Sequence, residues 1–425
     1  MSAPDLHARA RTLDASDPLA RFRDSFAIPP HIDGSASIYL CGHSLGLAPL
    51  AARTLVNEEL SDWERLAVLG HHVARRPWID YVEALRPALA RLVGAHPGEV
   101  VAMNSLTVNL HLLLASFYRP QGSRRCIVVE AGAFSSDRHA IVSQIQWHGL
   151  DPADALIEIA PAAGTDLLDE ADLGKLLAAR GTDIALVLWP GVQFRTGQAF
   201  DLARIAGAAR SAGAACGFDL AHAVGNMPLH IHDDGADFAV WCSYKYLNAG
   251  PGAIGGAFVH DCHRRADLPG CAGWWGHEPA TRFRMEPVFA PAPDASAWQV
   301  SNPPILSAAP LLASLQLFEA AGMPALRAKS LQMTGLLLDE FERRFPQLQC
   351  LTPREPSRRG SQLSLRLHAG RDAGRRLFED LGASGVVADW REPDILRIAP
   401  APLYNRFAEL AVFCDILEVA LRQHA

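Results

Sequence analysis

The chain has 425 residues, of which 20% are charged and 49% belong to the hydrophobic set. This length and composition are typical of a globular protein with a large core, and the length predicts two domains. The net charge of −7 gives no basis for binding nucleic acid or an anionic membrane, and no apolar run is long enough to span a bilayer. Eight cysteines without a C-x-x-C pattern, and no apolar leader near the N-terminus, predict a cytoplasmic protein with reduced thiols.

Histidines occur in two small patches, His71-His72 and His230 with His232. Neither patch is matched by a second cluster at a spacing known for metal ligands. The sequence therefore predicts no metal site.

The first half of the chain alternates helical and strand patterns. Apolar residues spaced three and four apart predict a helix that begins near Ser105 and ends before Arg119-Pro120. Short apolar runs predict buried strands at Cys126–Glu130 and Ile184–Trp189. Strands that alternate with helices indicate an α/β fold with a mostly parallel sheet. The start of the Ser105 helix suits either an ordinary N-cap or a phosphate, and the two interpretations are compatible.

An acid and a lysine follow two further apolar runs of this pattern. Asp219 comes after Ala214–Phe218, and Lys245 comes shortly after Phe238–Cys242. Ligands of parallel sheets bind beyond the carboxyl ends of the strands, where both side chains are expected. A lysine there, with an acid on the neighbouring strand, indicates pyridoxal phosphate, held covalently by the lysine and paired through its ring nitrogen with the acid. The alternative is a buried ion pair without chemistry.

The last third of the chain has a different pattern. Helical periodicity runs from Ser307 to Phe345, and Ser361–Leu367 alternates as an antiparallel strand with one buried face does. We predict an N-terminal arm and helix over 1–60, which packs on the small domain, a large domain over 61–305 and a smaller α+β domain over 306–425. Arg397 lies in an apolar strand, where its side chain either pairs with an anion or faces solvent.

Nine segments in chain order resemble kynureninases, which are fold-type-I pyridoxal phosphate enzymes. Three of these segments are much more specific than the others, because motifs such as D-L-A-H recur in many related lyases and aminotransferases. They are G-W-W-G-H at 273–277, S-N-P-P-I at 301–305 and R-I-A-P-A-P-L-Y-N at 397–405. The resemblance implies a large domain with a mostly parallel, seven-stranded sheet and a smaller C-terminal domain.

The resemblance also implies the site residues. Lys245, Asp219 and Tyr244 are the implied catalytic residues, with Tyr244 either a proton donor or only a phosphate ligand. The implied cofactor-binding residues are Leu106, Thr107, Phe134, Ser135, Ser136, Asp137, Asp219, His222, Tyr244, Lys245, Trp274 and Asn302. The implied substrate-binding residues are Ser44, His71, Ser301, Asn302 and Arg397.

The implied reaction is hydrolysis of kynurenine or 3-hydroxykynurenine at Cβ–Cγ, which gives an anthranilate and alanine in tryptophan degradation and NAD biosynthesis. The family is homodimeric, with residues of both subunits in each site. His43 stands where Asn is usual, and Pro190 stands where some members have a phosphate-contacting Ser. The alternatives are a cysteine desulfurase or another lyase of the same fold, and a non-catalytic regulator that binds the cofactor.

The choice between the two substrates depends on three positions. His71, Ser301 and Asn302 are the residues found in relatives that favour 3-hydroxykynurenine. An imidazole and an amide can bond an extra hydroxyl, and a site built to do so penalises the substrate that lacks it. We therefore expect a preference for 3-hydroxykynurenine. The alternative is that His71 only stabilises the Arg75–Trp78 loop.

Overall fold

The computed structural model describes residues 5–264 and 268–424, so the first four residues of the predicted arm and the last residue lie outside the described residues. The helices of the described part are α1 (Leu6–Ala15), α2 (Leu50–Leu66), α3 (Gly70–Val73), α4 (Arg86–Val93), α5 (Leu106–Phe117), α6 (Ser135–Trp147), α7 (Pro152–Ala155), α8 (Glu170–Arg180), α9 (Leu202–Ser211), α10 (Ile231–Asp234), α11 (Ile305–Ala321), α12 (Met323–Arg344), α13 (Arg371–Ala383) and α14 (Phe407–His424). The strands are β1 (Ile38–Tyr39), β2 (Val100–Ala102), β3 (Cys126–Glu130), β4 (Leu156–Ile159), β5 (Ile184–Pro190), β6 (Ala215–Asp219), β7 (Phe238–Trp241), β8 (Gly256–Val259), β9 (Leu348–Cys350), β10 (Leu363–Leu367), β11 (Val386–Val387), β12 (Asp389–Arg391) and β13 (Ile395–Ile398).

The central sheet has seven strands in the order β2-β8-β7-β6-β5-β3-β4. The five strands from β7 to β4 are parallel, and β8 runs antiparallel to both β7 and β2. Successive residues of a strand point to opposite faces, so Val128 packs in one core cluster and Ile127 and Val129 in another. The predicted α/β fold with a mostly parallel seven-stranded sheet is confirmed.

Close packing between β6 and β7 depends on Gly217. A Cβ built on Gly217 would lie 2.1 Å from the ring of Phe238, which β7 places directly opposite it. Only a residue without a side chain leaves room for that ring. The glycine thus allows β6 and β7 to bring their carboxyl ends, and the residues that follow them, to one edge of the sheet.

The C-terminal part contains a four-stranded antiparallel sheet in the order β12-β13-β10-β9. The predicted antiparallel strand is confirmed, but the expectation that only one of its faces is buried was wrong. Ser364 is fully buried, and its hydroxyl is satisfied by a hydrogen bond that it donates to the carbonyl of Arg195 at 2.7 Å. The polar face of β10 therefore lies against the loop that follows β5, instead of against water.

The helical stretch predicted from Ser307 to Phe345 is two helices, α11 and α12. Gly322 separates them with a φ of 77°, which favours glycine. Among the described residues no single helix is long and apolar enough to cross a membrane. Taken together, α11 and α12 have the length and composition of a membrane span, but they are bent by 82° relative to each other.

The beginning of the chain packs on its end. Asp14 accepts hydrogen bonds from the backbone N–H groups of Phe407 and Ala408, and so caps α14. Leu6 and Ala10 of α1 belong to the core cluster of the C-terminal part. The exact division at residues 60 and 305 stays a prediction.

Candidate active site

A cleft opens at the carboxyl ends of β6 and β7, with about 500 Å³ of empty space. Asp219 is the last residue of β6, and Lys245 follows the end of β7 by four residues. The lining residues of the cleft are Leu106, Thr107, Glu130, Phe134, Ser136, Asp137, Pro190, Val192, Phe194, Asp219, Ala221, His222, Tyr244 and Lys245. Most of the predicted cofactor-binding residues are thus brought together around the lysine.

Lys245 is held between an imidazole and two aromatic rings. Its Nζ lies 3.0 Å from Nε2 of His222. The same nitrogen is 5.7 Å from the ring centre of Phe134 and 5.9 Å from that of Tyr244. Burial and the charge of Lys245 lower the pKa of His222 well below its usual value, so the imidazole is neutral and can accept a hydrogen bond from the ammonium.

Three carboxyl groups face the floor of the cleft. Burial and the neighbouring Asp219 raise the pKa of Asp137 well above its usual range. Burial raises the pKa of Glu130 to about 8. Asp219 accepts a hydrogen bond from the backbone N–H of Ala221 at 2.7 Å, whereas Oδ1 of Asp137 is buried without a partner. Crowded acids with an unsatisfied oxygen fit a cation between them, and a protonated pyridine nitrogen is such a cation.

The opposite end of the cleft is formed by the start of α5. Ser105 is the N-cap residue of α5, as one interpretation predicted, but its side chain makes no capping hydrogen bond. The hydroxyl groups of Thr107 and Ser136 lie 2.8 Å apart beside the helix start. First-turn N–H groups, the helix dipole and two hydroxyls are the donors that a phosphate requires, so the residues present fit pyridoxal phosphate at both ends.

Arg397 is buried in β13, with 1% of its surface exposed. Its Nε and Nη2 donate to Oδ1 of Asp389 at 3.0 and 2.8 Å, and its Nη1 donates to the carbonyl of Phe194 at 2.6 Å. Ser44 Oγ lies 3.3 Å from Nη2 and itself donates to Asp389 at 2.6 Å. The solvent-facing alternative is therefore wrong, and an anion of the chain itself pairs with the arginine.

Seven predicted site residues do not line this cleft in the single chain: Ser44 and Arg397, described above, and five others. Ser135, the first residue of α6, is exposed, although its neighbours Phe134 and Ser136 do line it. His71 packs edge-on against Trp78, with ring centres 5.5 Å apart. The Nε1–H of Trp274 donates to the carbonyl of Arg282 at 3.0 Å. Ser301 and Asn302 are exposed. The last four therefore lie outside this cleft in the single chain.

Sequence reasoning missed four residues near the site: Glu130, His43, Phe194 and Asp389. An acid at the end of a buried strand marks Glu130, and this is the same signal that identified Asp219. His43 is fully buried, both of its ring nitrogens lack partners, and its ring centre lies 6.4 Å from that of His222. Asp389 pairs with Arg397 across the neighbouring strands β12 and β13, and the fold brings the carbonyl of Phe194, in the loop after β5, to the same arginine.

The fold and the lysine–acid arrangement together define a fold-type-I pyridoxal phosphate enzyme. One solved structure of this fold is the cystine C–S lyase C-DES with glycine covalently linked to its PLP cofactor. It superimposes with a TM-score of 0.77 at 18% identity, covering 90% of this chain and 96% of that chain. The cysteine desulfurase CsdA from Escherichia coli superimposes with a TM-score of 0.76 at 20% identity, covering 96% and 99%. At these identities the likeness shows the fold alone.

Sequence relatives identify the family within that class. The kynureninase of Xanthomonas axonopodis pv. citri is 58% identical over 98% of this chain and 99% of its own length. That of Xanthomonas euvesicatoria pv. vesicatoria is 59% identical over 97% of each. The family model of the kynureninase C-terminal domain matches residues 326–417. The chain belongs to the kynureninase family, which decides against the desulfurase and the non-catalytic regulator.

Proposed function

We propose that this member of the kynureninase family hydrolyses kynurenine with Lys245 as the base that moves the α-proton of the substrate. The observation that carries the proposal is the position of its Nζ, 3.0 Å from a neutral, buried His222 and in one cleft with Asp137 and Asp219. A lysine in a dry pocket beside a neutral acceptor is suited to proton transfer. Nearby acids favour the protonated cofactor nitrogen.

Pyridoxal phosphate, the cofactor of this enzyme, supplies covalent attachment of the substrate amine and an electron sink next to the α-carbon. We assign Asp219 and Asp137 to its ring nitrogen and Phe134 to its ring face. We assign Thr107 and Ser136, with the start of α5, to its phosphate. Each assignment rests on the lining of the cleft and on the donors described above.

Tyr244 is the proposed proton donor. Burial raises the pKa of its hydroxyl, so the group stays protonated at neutral pH. It lines the cleft next to Lys245, where it can hydrogen-bond an oxygen of the substrate or of the phosphate. A Tyr244→Phe variant separates the roles: a lost donor lowers kcat, whereas a lost phosphate ligand weakens cofactor binding.

Arg397 is the proposed partner of the substrate carboxylate, together with Ser44. Its guanidinium is buried near the cleft, and Phe194, whose carbonyl it contacts, lines the cleft. Asp389, Ser44 and Phe194 occupy four of its five N–H groups, so a carboxylate bound by two of them must replace the Phe194 carbonyl or Ser44 Oγ. The arginine therefore has to change partners when the substrate binds.

A homodimer is part of the proposal, because it would bring a second copy's His71, Trp274, Ser301 and Asn302 to each cleft. Apolar side chains are exposed close to these residues in sequence, among them Leu69, Val73, Phe283 and Leu306. Apolar surface of this kind is typical of an interface when it forms a contiguous patch. Sedimentation at micromolar concentration tests the assembly.

Preference for 3-hydroxykynurenine is the finer part of the proposal. It rests on the hydrogen-bonding groups of His71, Ser301 and Asn302. We expect a higher kcat/KM for 3-hydroxykynurenine than for kynurenine, and the triple variant His71→Trp, Ser301→Gly, Asn302→Thr should reverse that order. An equal or opposite preference of the wild type in side-by-side kinetics contradicts it.

The activity itself is tested by incubating the holoenzyme with kynurenine and measuring anthranilate fluorescence and alanine. Lys245→Ala is the matched inactive control. Incubation with cysteine tests the competing chemistry of the fold. Alanine from cysteine, with sulfide released by an added thiol reductant, and no anthranilate from kynurenine would contradict the proposal.

A further inference from the structure

Four side chains that could bind a metal ion meet at the edge of the central sheet opposite Lys245. They are Glu99, which precedes β2, His232 in α10, and His260 and Asp261, which follow β8. One ligand atom from each lies within 4.8 Å of the others. The sequence pattern predicted no metal site because these residues come from three distant segments, which only the fold brings together.

The separation of the ligand atoms fits a small transition-metal ion. Nδ1 of His232 lies 2.8 Å from Oε1 of Glu99, and Nδ1 of His260 lies 3.9 Å from the same oxygen. Nδ1 of His260 is 3.4 Å from Oδ1 of Asp261. Ligand atoms of a tetrahedral zinc site are about 3.3 Å apart, as follows from bond lengths near 2.0–2.1 Å. Because an imidazole binds a metal ion in its own ring plane, the rings of His232 and His260, now inclined by 15°, would have to rotate to aim both nitrogens at one ion.

The carboxylate of Glu99 is anchored at the base of the cluster. The side chain is fully buried, and it accepts hydrogen bonds from the backbone N–H groups of His96 and Asp261, both at 2.8 Å. Two backbone donors hold this buried carboxylate in a fixed position. Its remaining partner is the ring of His232, whose proton a metal ion would replace.

The histidines form the walls of the cluster. The rings of His232 and His260 stack with centres 4.7 Å apart, and the ring of His96 lies 4.1 Å from that of His232. Nδ1 of His260 accepts a hydrogen bond from the backbone N–H of Cys262 at 3.2 Å. A metal ion would have to displace this bond.

Access from solvent is open on one side. His232 and His260 have side chains that are 25% and 18% exposed. Both line a surface groove that continues past Cys262 and Asp237. An ion can thus enter without unfolding of the chain, and the buried base formed by Glu99 excludes water from one side of it.

We propose that Glu99, His232, His260 and Asp261 form a binding site for one divalent transition-metal ion, of the class of zinc or cobalt(II). Two imidazoles with two carboxylates favour these ions over magnesium or calcium, which prefer oxygen ligands alone. The ion would tie the start of β2, α10 and the end of β8 together. The site lies beside the start of β7, whereas Lys245 lies beyond the other end of that strand. An ion bound there would be too far from the lysine to take part in its chemistry, so its role would be structural.

The test uses the holoenzyme after dialysis against a chelator, titrated with ZnCl2 by calorimetry and with CoCl2 by visible absorption. We expect one equivalent per chain, an intense cobalt band of tetrahedral type and a higher melting temperature with zinc. His232→Ala and His260→Ala should each weaken binding at least about tenfold. His230→Ala is the matched control, because His230 is exposed and outside the cluster, and it should bind as the wild type does.

A second control addresses the other group of potential ligands, Cys41, His43 and Asp389. His43→Ala should leave the stoichiometry unchanged, and the absorption band of the cofactor should not shift during the titration. The variants at 232 and 260 alter largely buried side chains, so folding is checked by that same band. Absence of saturable binding at micromolar zinc, or unchanged binding in the His232→Ala, His260→Ala double variant, overturns the proposal.

Discussion

The pair formed by Asp389 and Arg397 allows a sharp test of how the carboxylate-binding arginine is held. Asp389→Asn removes the negative charge and keeps an acceptor for the two bonds from the guanidinium, whereas Asp389→Ala removes both. Arg397 is 1% exposed and Asp389 13% exposed at the side chain. Burial lowers the pKa of Arg397, which shows that its charge is costly without an anion.

The size of the effect follows from that burial. Removing one partner of a buried ion pair costs about 3–5 kcal/mol of unfolding free energy, which we expect for Asp389→Ala. For Asp389→Asn, which keeps its bonds to Arg397, we expect about 1–3 kcal/mol, the scale of one charge-assisted hydrogen bond. Although these variants are less stable, they should not bind substrate more weakly. The carboxylate of Asp389, which competes with the substrate for Arg397, is gone, so KM should fall or stay constant.

Denaturant unfolding of the holoenzyme measures the first quantity, and steady-state kinetics with kynurenine measures the second. Arg397→Ala should raise KM by the equivalent of about 2–5 kcal/mol, the cost of leaving a charge without its partner. Asp394→Asn is the matched control, because that acid pairs with Arg366 and not with Arg397. A KM that rises in Asp389→Asn as it does in Arg397→Ala would refute competition and show that Asp389 positions the arginine.

Lys245→Ala should abolish the borohydride-trappable link between protein and cofactor, and a peptide map that places the link on another lysine would contradict the site. Asp219→Ala should keep that link but slow exchange of the substrate α-proton, because the electron sink weakens; exchange at the wild-type rate would exclude the pairing. Burial raises the pKa of Glu130 from 4.5 to about 8, so its neutral form is the one that the fold favours. The folded state then holds the proton more tightly than the unfolded state, and this contribution to stability is complete below pH 4.5 and is lost as the pH rises towards 8. Glu130→Gln should therefore flatten the decline in unfolding free energy of the cofactor-free protein between about pH 5 and 8, and parallel pH profiles of the two proteins would show that Glu130 is ionised throughout.

Local sequence determined the elements that carry the chemistry. The apolar run of β3 begins and ends where the pattern predicted, at Cys126 and Glu130. The position of Asp219 and Lys245 after two buried strands was equally readable, because parallel strands end at one edge of a sheet whatever the remaining topology is. Hydrophobic periodicity and strand-end polarity are short-range properties, so one sequence suffices to recognise them.

Only the tertiary structure decided which distant groups face one another. The sequence pattern did not predict that β8 runs antiparallel between β2 and β7, nor that the polar face of β10 packs on the loop after β5. It did not predict that Ser44 and the carbonyl of Phe194 contact Arg397, or that Glu99 meets His232 and His260. These pairings depend on strand order and on the packing of one sheet against another segment. The free energy that stabilises them comes from apolar surface that residues far apart in the chain bury against one another.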